Sequence, residues 1–432
     1  MNLKKVFTNI IDNFLKKSFI KNVLTLMTGT IIAQIISFLL MPILTRIYFP
    51  EDFGVYALFL SFSSVLSIII AGSYEYAIIL PKDRIEATNL LVLCIGLSGI
   101  ISLGIFILFI FMGQELLSYI RRPDLFLYLL LTPIYMWGLS INQAFYYWFN
   151  RESLFSIMSK SRLLLVISNN FFGIVIGANI LGSPIGLVLG NILGQIITNI
   201  YIINKFISYI SINKELISIN KLILQAKRYK NFPRFSMPGN VINNISQQLP
   251  IFLMGFFYGE NVVGYFSMGQ RCINAPLSVL SQSIGDVFRE KASKQYASNG
   301  ECKLLFDKLI KVLVLLSIVP LITLLIFAPD LFAIYFGVEW REAGIYTQIL
   351  VPMYFLKVIA SPLSNMSIIA EKQRIDLLFQ ILIIIVLSLF IYLSKVIWDT
   401  AIYTVVSFGV GYIIIYFTSL CINRNWAKGV KK

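Results

Sequence analysis

The chain has 432 residues, of which 57% are hydrophobic and 13% charged, so a soluble core cannot bury its apolar surface and lipid must be its solvent. A formal net charge of +15 fits the basic cytosolic loops that orient membrane proteins, and this sets nucleic-acid binding aside. Histidine is absent, which excludes histidine-based acid–base catalysis and removes the commonest metal ligand.

In residues 1–21, Leu3, Val6, Phe7, Ile10 and Phe14 alternate with Lys4, Lys5, Lys16 and Lys17. This is either an interfacial amphipathic helix on anionic lipid or a plain basic tail. No small-residue cleavage pattern precedes the first long apolar run, so that span is expected to stay in the mature protein. Crossing a hydrocarbon core of about 30 Å takes about 20 apolar residues. Windows of that kind fall near 22–45, 55–80, 88–112, 125–149, 163–178, 184–203, 235–256, 263–287, 312–336, 345–370, 376–394 and 400–422. The expected fold is an all-α polytopic membrane protein with twelve transmembrane helices. Six fall in an N-terminal lobe (22–203) and six in a C-terminal lobe (235–422), with a cytosolic connector (204–234) between them and a cytosolic basic tail (423–432).

Orientation follows from lysine and arginine. Of 36 such residues, 29 fall in segments placed in the cytosol, and the external loops hold only Arg46, Arg121, Arg122, Arg341 and Lys395. Both termini and the connector are therefore expected in the cytosol, at the inner membrane. Six spans per half make the lobes a parallel repeat around a central cavity. At an offset of 210, Met27, Gly29, Ile32, Ile35, Leu39, Tyr48 and Gly54 recur as Met237, Gly239, Ile242, Ile245, Leu249, Tyr258 and Gly264. The polar trio Thr30, Gln34, Ser37 recurs as Asn240, Asn244, Gln247, each trio on one helix face.

Polar faces on membrane helices must meet protein or water. For Thr30, Gln34 and Ser37 interhelical hydrogen bonding is explanation enough. Span 7 carries five amides, Asn240, Asn243, Asn244, Gln247 and Gln248. Span 8 carries Ser267, Gln270, Arg271, Asn274, Ser278, Ser281 and Gln282, and span 10 carries Lys357, Ser361, Ser364 and Asn365. Three such helices imply a hydrated cavity. A cation at mid-span costs roughly 2.5–3.5 kcal/mol, so Arg271 and Lys357 are candidate ligand contacts, with snorkelling the alternative for Arg271. Glu75 and Asp286, near the cytosolic ends of spans 2 and 8, are either ion-coupling carboxylates or simply solvated and paired groups. The seven prolines inside spans allow bends. Cys94, Cys272, Cys302 and Cys421 show neither metal nor disulfide spacing, so no metal and no disulfide framework is expected.

The run from Arg46 through Pro50-Glu51-Asp52-Phe53-Gly54 to Ala57, followed by Gly72 to Ile78, resembles the start of Wzx-type polysaccharide flippases. These are members of the multidrug/oligosaccharidyl-lipid/polysaccharide exporter superfamily. Tyr229 to Pro233, Pro238-Gly239, Leu249-Pro250, Val263 to Ser267 and Ser283 to Phe288 agree. The resemblance is good over spans 1–2 and 7–8 and only compositional elsewhere.

The resemblance implies a two-lobed transporter that carries undecaprenyl-pyrophosphate-linked oligosaccharides from the inner to the outer leaflet by alternating access, without an enzyme's cofactors and driven by an H+ or Na+ gradient. Its partners would be the lipid-linked oligosaccharide, membrane lipids and other polysaccharide-assembly proteins. Arg271 and Lys357 would then neutralise the pyrophosphate, with Asn240, Asn244, Gln247 and Asn274 receiving hydroxyls, and Glu75 or Asp286 would bind the coupling ion. The first lobe supplies no central cation, a departure from even neutralisation. The rival readings are a small-molecule or drug exporter of the same superfamily, and a polysaccharide polymerase or glycosyltransferase using Glu51-Asp52. In the latter case the acids are already explained by their place in the first turn of a helix.

Overall fold

A computed structural model describes residues 28–119, 122–179, 183–209, 218–370 and 372–429. The expected amphipathic segment 1–21, Arg121, connector residues 210–217 and the last three residues of the basic tail lie outside the described residues. The described residues are mostly helical, with turns and short loops between the helices and no strand among them. The first three helices are α1 (Thr28–Ile47), α2 (Pro50–Ala71) and α3 (Arg84–Tyr119). They are followed by α4 (Phe126–Arg151), α5 (Phe155–Asn179), α6 (Ile185–Tyr209) and the short α7 (Ile219–Arg228). After these come α8 (Met237–Tyr258), α9 (Glu260–Asn299), α10 (Lys303–Phe336) and α11 (Arg341–Leu363). The chain closes with α12 (Met366–Ile369), α13 (Gln373–Trp398) and α14 (Ala401–Ala427).

Ten of the described helical segments are long and apolar enough to cross a membrane, so the protein is a multi-pass membrane protein. Two further long helices, α8 and α9, fall outside that set. They carry the amide and arginine faces. For them the expectation of a span rests on length rather than hydropathy.

Several helix ends differ from the sequence reading for local reasons. α2 opens on Pro50, which needs no amide partner there, and the Phe49 N–H donates to the Asp52 carboxylate at 2.7 Å. It closes at Ala71, not near 80, because Gly72 (φ 59°) and Ser73 (φ 57°) take the left-handed conformation that ends a helix. Glu75 consequently leaves the expected span and sits on a 3-10 turn, Tyr74–Ile79. At the other extreme, α9 runs for 40 residues, about 60 Å at 1.5 Å per residue, twice the hydrocarbon thickness. Its far end therefore carries Arg289, Lys291 and Lys294, which the sequence reading placed in a loop. Likewise α5 begins at Phe155, so Lys160 and Arg162 are helical.

Contacts divide the chain into two units. The first comprises the described residues of Met1–Ile47 and Phe59–Asn244, the second those of Tyr48–Leu58 and Ile245–Lys432. In the first, α5 packs on α6, and α4 packs on both α3 and α6. Its aromatic core centres on Trp148, whose ring meets Phe206 edge-on at 4.8 Å beside Phe145 and Phe149. In the second, α11 is the hub, packed against α9, α10 and α14. Phe266 of α9 meets Phe408 of α14 there at 5.3 Å.

The start of α2 belongs to the second unit and lies directly on α9. A Cβ built on Gly54 would stand 1.9 Å from the Glu260 carbonyl oxygen, and one on Gly264 would stand 1.8 Å from that of Pro50. Pro50 and Glu260, like Gly54 and Gly264, are separated by 210 residues. Positions related by the sequence repeat thus face each other reciprocally, as two elements do about a local two-fold axis.

Candidate functional site

In the second unit the polar residues of α9 and α11 form one connected group. The Lys357 ammonium donates to the Asn274 side-chain oxygen at 2.8 Å and lies 5.9 Å from the centre of the Tyr354 ring, one turn earlier on α11. Asn274 stands one turn beyond Arg271 on α9, so the two helices bring the two expected cations to the same stretch of α9. The Arg271 guanidinium rests on an aromatic shelf, 5.4 Å from the centre of Tyr56 and 5.9 Å from Phe53. Phe53 is held in turn edge-on by buried Trp340 at 5.1 Å.

Among the described residues no carboxylate lies within ion-pair distance of either cation. Both are half-buried. An anion arriving between them would meet two positive charges held by π faces and an amide, with no acid to displace.

The expected amide trio of α8 does not act as one set. Asn240 donates to the Ser73 hydroxyl at 3.2 Å, and Asn244 accepts from the Ser64 hydroxyl at 3.1 Å, both within the first unit. Gln247 is exposed and belongs to the second unit. The single helical face read from sequence is real. The side chains on it, however, serve different neighbours.

Glu75 lies outside the membrane-spanning helices, on the 3-10 turn after α2. It is 3% exposed, and its Oε2 has no hydrogen-bond partner among the described residues. Around it stand Tyr76, Tyr147 and the buried Cys94, the two tyrosine rings meeting at 5.0 Å. Burial pushes its carboxyl up to about 7, so it changes charge in the neutral range. The side chain of Asp286, the other expected coupling residue, lies outside the described residues. Among the described residues no group of three or more cysteines or acids could hold a metal ion.

The sequence reading missed the supports. Phe53 and Tyr56 share a face of α2 at a spacing of three, a visible signal, but nothing in the sequence says that Arg271 would rest on it. Arg84 and Arg151 were read only as orienting charges. Arg84 pairs with Glu152 at 3.1 Å and stacks 4.7 Å from the centre of Tyr209, while Arg151 bonds the Pro81 and Lys82 carbonyls at 3.1 Å. They therefore tie the 80s loop to the end of α4. A separate apolar cavity of about 420 Å³ lies in the second unit between α10, α11 and α14, lined by Leu321, Leu325, Val351, Phe355 and Ile413 among others.

Residues 43–344 match the family described as polysaccharide biosynthesis protein. The teichuronic acid biosynthesis protein TuaB of Bacillus subtilis is 26% identical over 194 residues, 43% of this chain and only 40% of that protein's length. An uncharacterized membrane protein in the cps region of Klebsiella pneumoniae is 21% identical over 372 residues, 84% of this chain and 74% of that one. Among solved structures, the lipid II flippase MurJ in an inward closed conformation superposes with a TM-score of 0.69 at 15% identity, covering 92% of this chain and 87% of that one. An inward-facing multidrug resistance MATE family transporter of the MOP superfamily gives 0.63 at 15% identity, covering 91% and 94%. At these identities the superpositions establish a shared fold alone.

Proposed function

Because the chain belongs to the polysaccharide biosynthesis protein family, we propose that it is a flippase that carries undecaprenyl-pyrophosphate-linked oligosaccharide repeat units from the inner to the outer leaflet of the bacterial cytoplasmic membrane. The observation that carries this reading is the pairing of Arg271 and Lys357 with amide and aromatic partners and, among the described residues, with no carboxylate. A sugar-pyrophosphate headgroup cannot enter hydrocarbon with its charges unmatched. Two such cations and the Asn274 amide offer the headgroup a polar passage while the lipid tail remains in the bilayer.

In this reading α8 and α9 complete twelve spans. The reciprocal contact of Gly54 and Gly264 supports a parallel two-lobe repeat, and both termini face the cytosol. Alternating access would be driven by an ion gradient, with Glu75 as the group that binds and releases the coupling cation. A burial-shifted carboxyl near neutrality suits that role. The MATE-like fold would serve a small-molecule exporter equally well. The cations on α9 and α11, without an ion-pair partner among the described residues, favour an anionic cargo instead.

The test is the appearance of lipid-linked sugar on the outer face of cells that make each variant at equal level. Lys357→Gln and Arg271→Gln are expected to lose most of the transport, and Lys357→Arg to keep part of it. Wild-type transport by the double glutamine variant refutes the assignment.

A further inference from the structure

The connector carries an amphipathic helix that the transport reading leaves unused. α7 has ten residues and is not among the ten candidate spans. One side is clamped to the first unit. Gln225 is buried, the Tyr74 hydroxyl donates to the Ala226 carbonyl at 3.2 Å, and Arg228 pairs with Glu86, in the first turn of α3, at 2.9 Å. This clamp holds α7 beside the first turn of α3, itself a candidate membrane span.

The other side is apolar and open. Ile219 is 75%, Ile223 48% and Leu224 60% exposed, at helical spacing, and Phe235 just beyond is 71% exposed. In bulk water such a stripe is unfavourable, whereas at a membrane surface it can sit among the ends of lipid chains. Exposed Lys221, Lys227, Lys230 and Arg234 rim it, and from Leu216 to Gly259 the chain has no acidic residue. Apolar face and one-signed rim together match a negatively charged leaflet.

We propose that α7 lies in the membrane–water interface, with Ile219, Ile223 and Leu224 among lipid chains and its lysines on anionic headgroups, so that leaflet charge helps hold the connector. This inference is independent of the cargo.

It can be tested on the full chain with its native cysteines replaced, an environment-sensitive dye on Leu224→Cys, and reconstitution in nanodiscs of phosphatidylcholine alone or mixed with phosphatidylglycerol. A second labelled position, Ser298→Cys on the end of α9, serves as the comparison for a site outside the stripe. Shallow nitroxide-labelled lipid is expected to quench the Leu224→Cys dye, and more strongly with phosphatidylglycerol. The increment should vanish in Lys221→Gln/Lys227→Gln/Lys230→Gln, which keeps Arg228 and its clamp. A dye that the lipid nitroxide leaves unquenched and that iodide in the water quenches readily overturns the proposal, as does nitroxide quenching equal in both lipids. Protection that follows the number of copies per disc rather than the lipid would mean that a second copy covers the face, and would overturn it too.

Discussion

Replacing Gly264 with alanine isolates the contact between α2 and α9. The added methyl would stand 1.8 Å from the Pro50 carbonyl oxygen, where ordinary contact begins at 3.4 Å, so the helices must part by about 1.6 Å locally. The obstacle is backbone, which cannot swing aside as a side-chain tip can. Overpacking of this kind costs about 1–3 kcal/mol, set against the roughly 1 kcal/mol that alanine gains over glycine within a helix. Gly54→Ala meets the Glu260 carbonyl at 1.9 Å and should cost about as much.

Once one methyl has parted the helices, the second meets less resistance. The double variant should then lose less stability than the two single losses added. Thermal unfolding of purified protein in detergent reads these differences, with Gly96→Ala as the comparison, since a Cβ there meets nothing within 4 Å. Because Phe53 and Tyr56 ride on the displaced segment, Arg271 loses its shelf, and transport should fall in both glycine variants. Midpoints of Gly54→Ala and Gly264→Ala at or above that of Gly96→Ala, with transport intact, would refute the reasoning.

Three further outcomes are expected. Glu75 has its carboxyl raised from 4.5 to about 7, so its neutral form is stabilised in the folded protein. Its contribution is whole below pH 4.5 and lost as pH rises through 7, a difference on the order of 3 kcal/mol; unfolding midpoints across this range should fall for wild type and stay flatter for Glu75→Gln, and an unchanged slope would count against the buried carboxyl. Asp52→Ala removes the acceptor for the Phe49 amide and should cost about 1 kcal/mol, read in the same unfolding assay. A single cysteine on the charged side of α7, as in Lys227→Cys, should resist an impermeant thiol reagent in intact cells and react once the cells are opened; ready labelling in intact cells would reverse the proposed orientation.

Hydropathy and charge by themselves determined that this chain lives in lipid as a stack of helices, because a run of about 20 apolar residues has few other places to go. The polar faces of α8, α9 and α11 and the two cations within them were equally legible, since helical spacing is a local property. Even the reciprocal glycines were visible as the offset of 210 residues.

Only the tertiary structure decided what those faces touch. Asn240 and Asn244 turn to serines of the first unit, Lys357 reaches Asn274 across 83 positions, and Arg271 lies over rings more than two hundred residues earlier. Such partnerships depend on which helices pack together and at what rotation, which no single helix encodes. Glu75 shows the same limit on a smaller scale. Its run of neighbours reads as more span, but two residues in the left-handed conformation end α2 four positions earlier, and tertiary packing then buries the carboxyl among Tyr76, Tyr147 and Cys94, which lie on three separate elements.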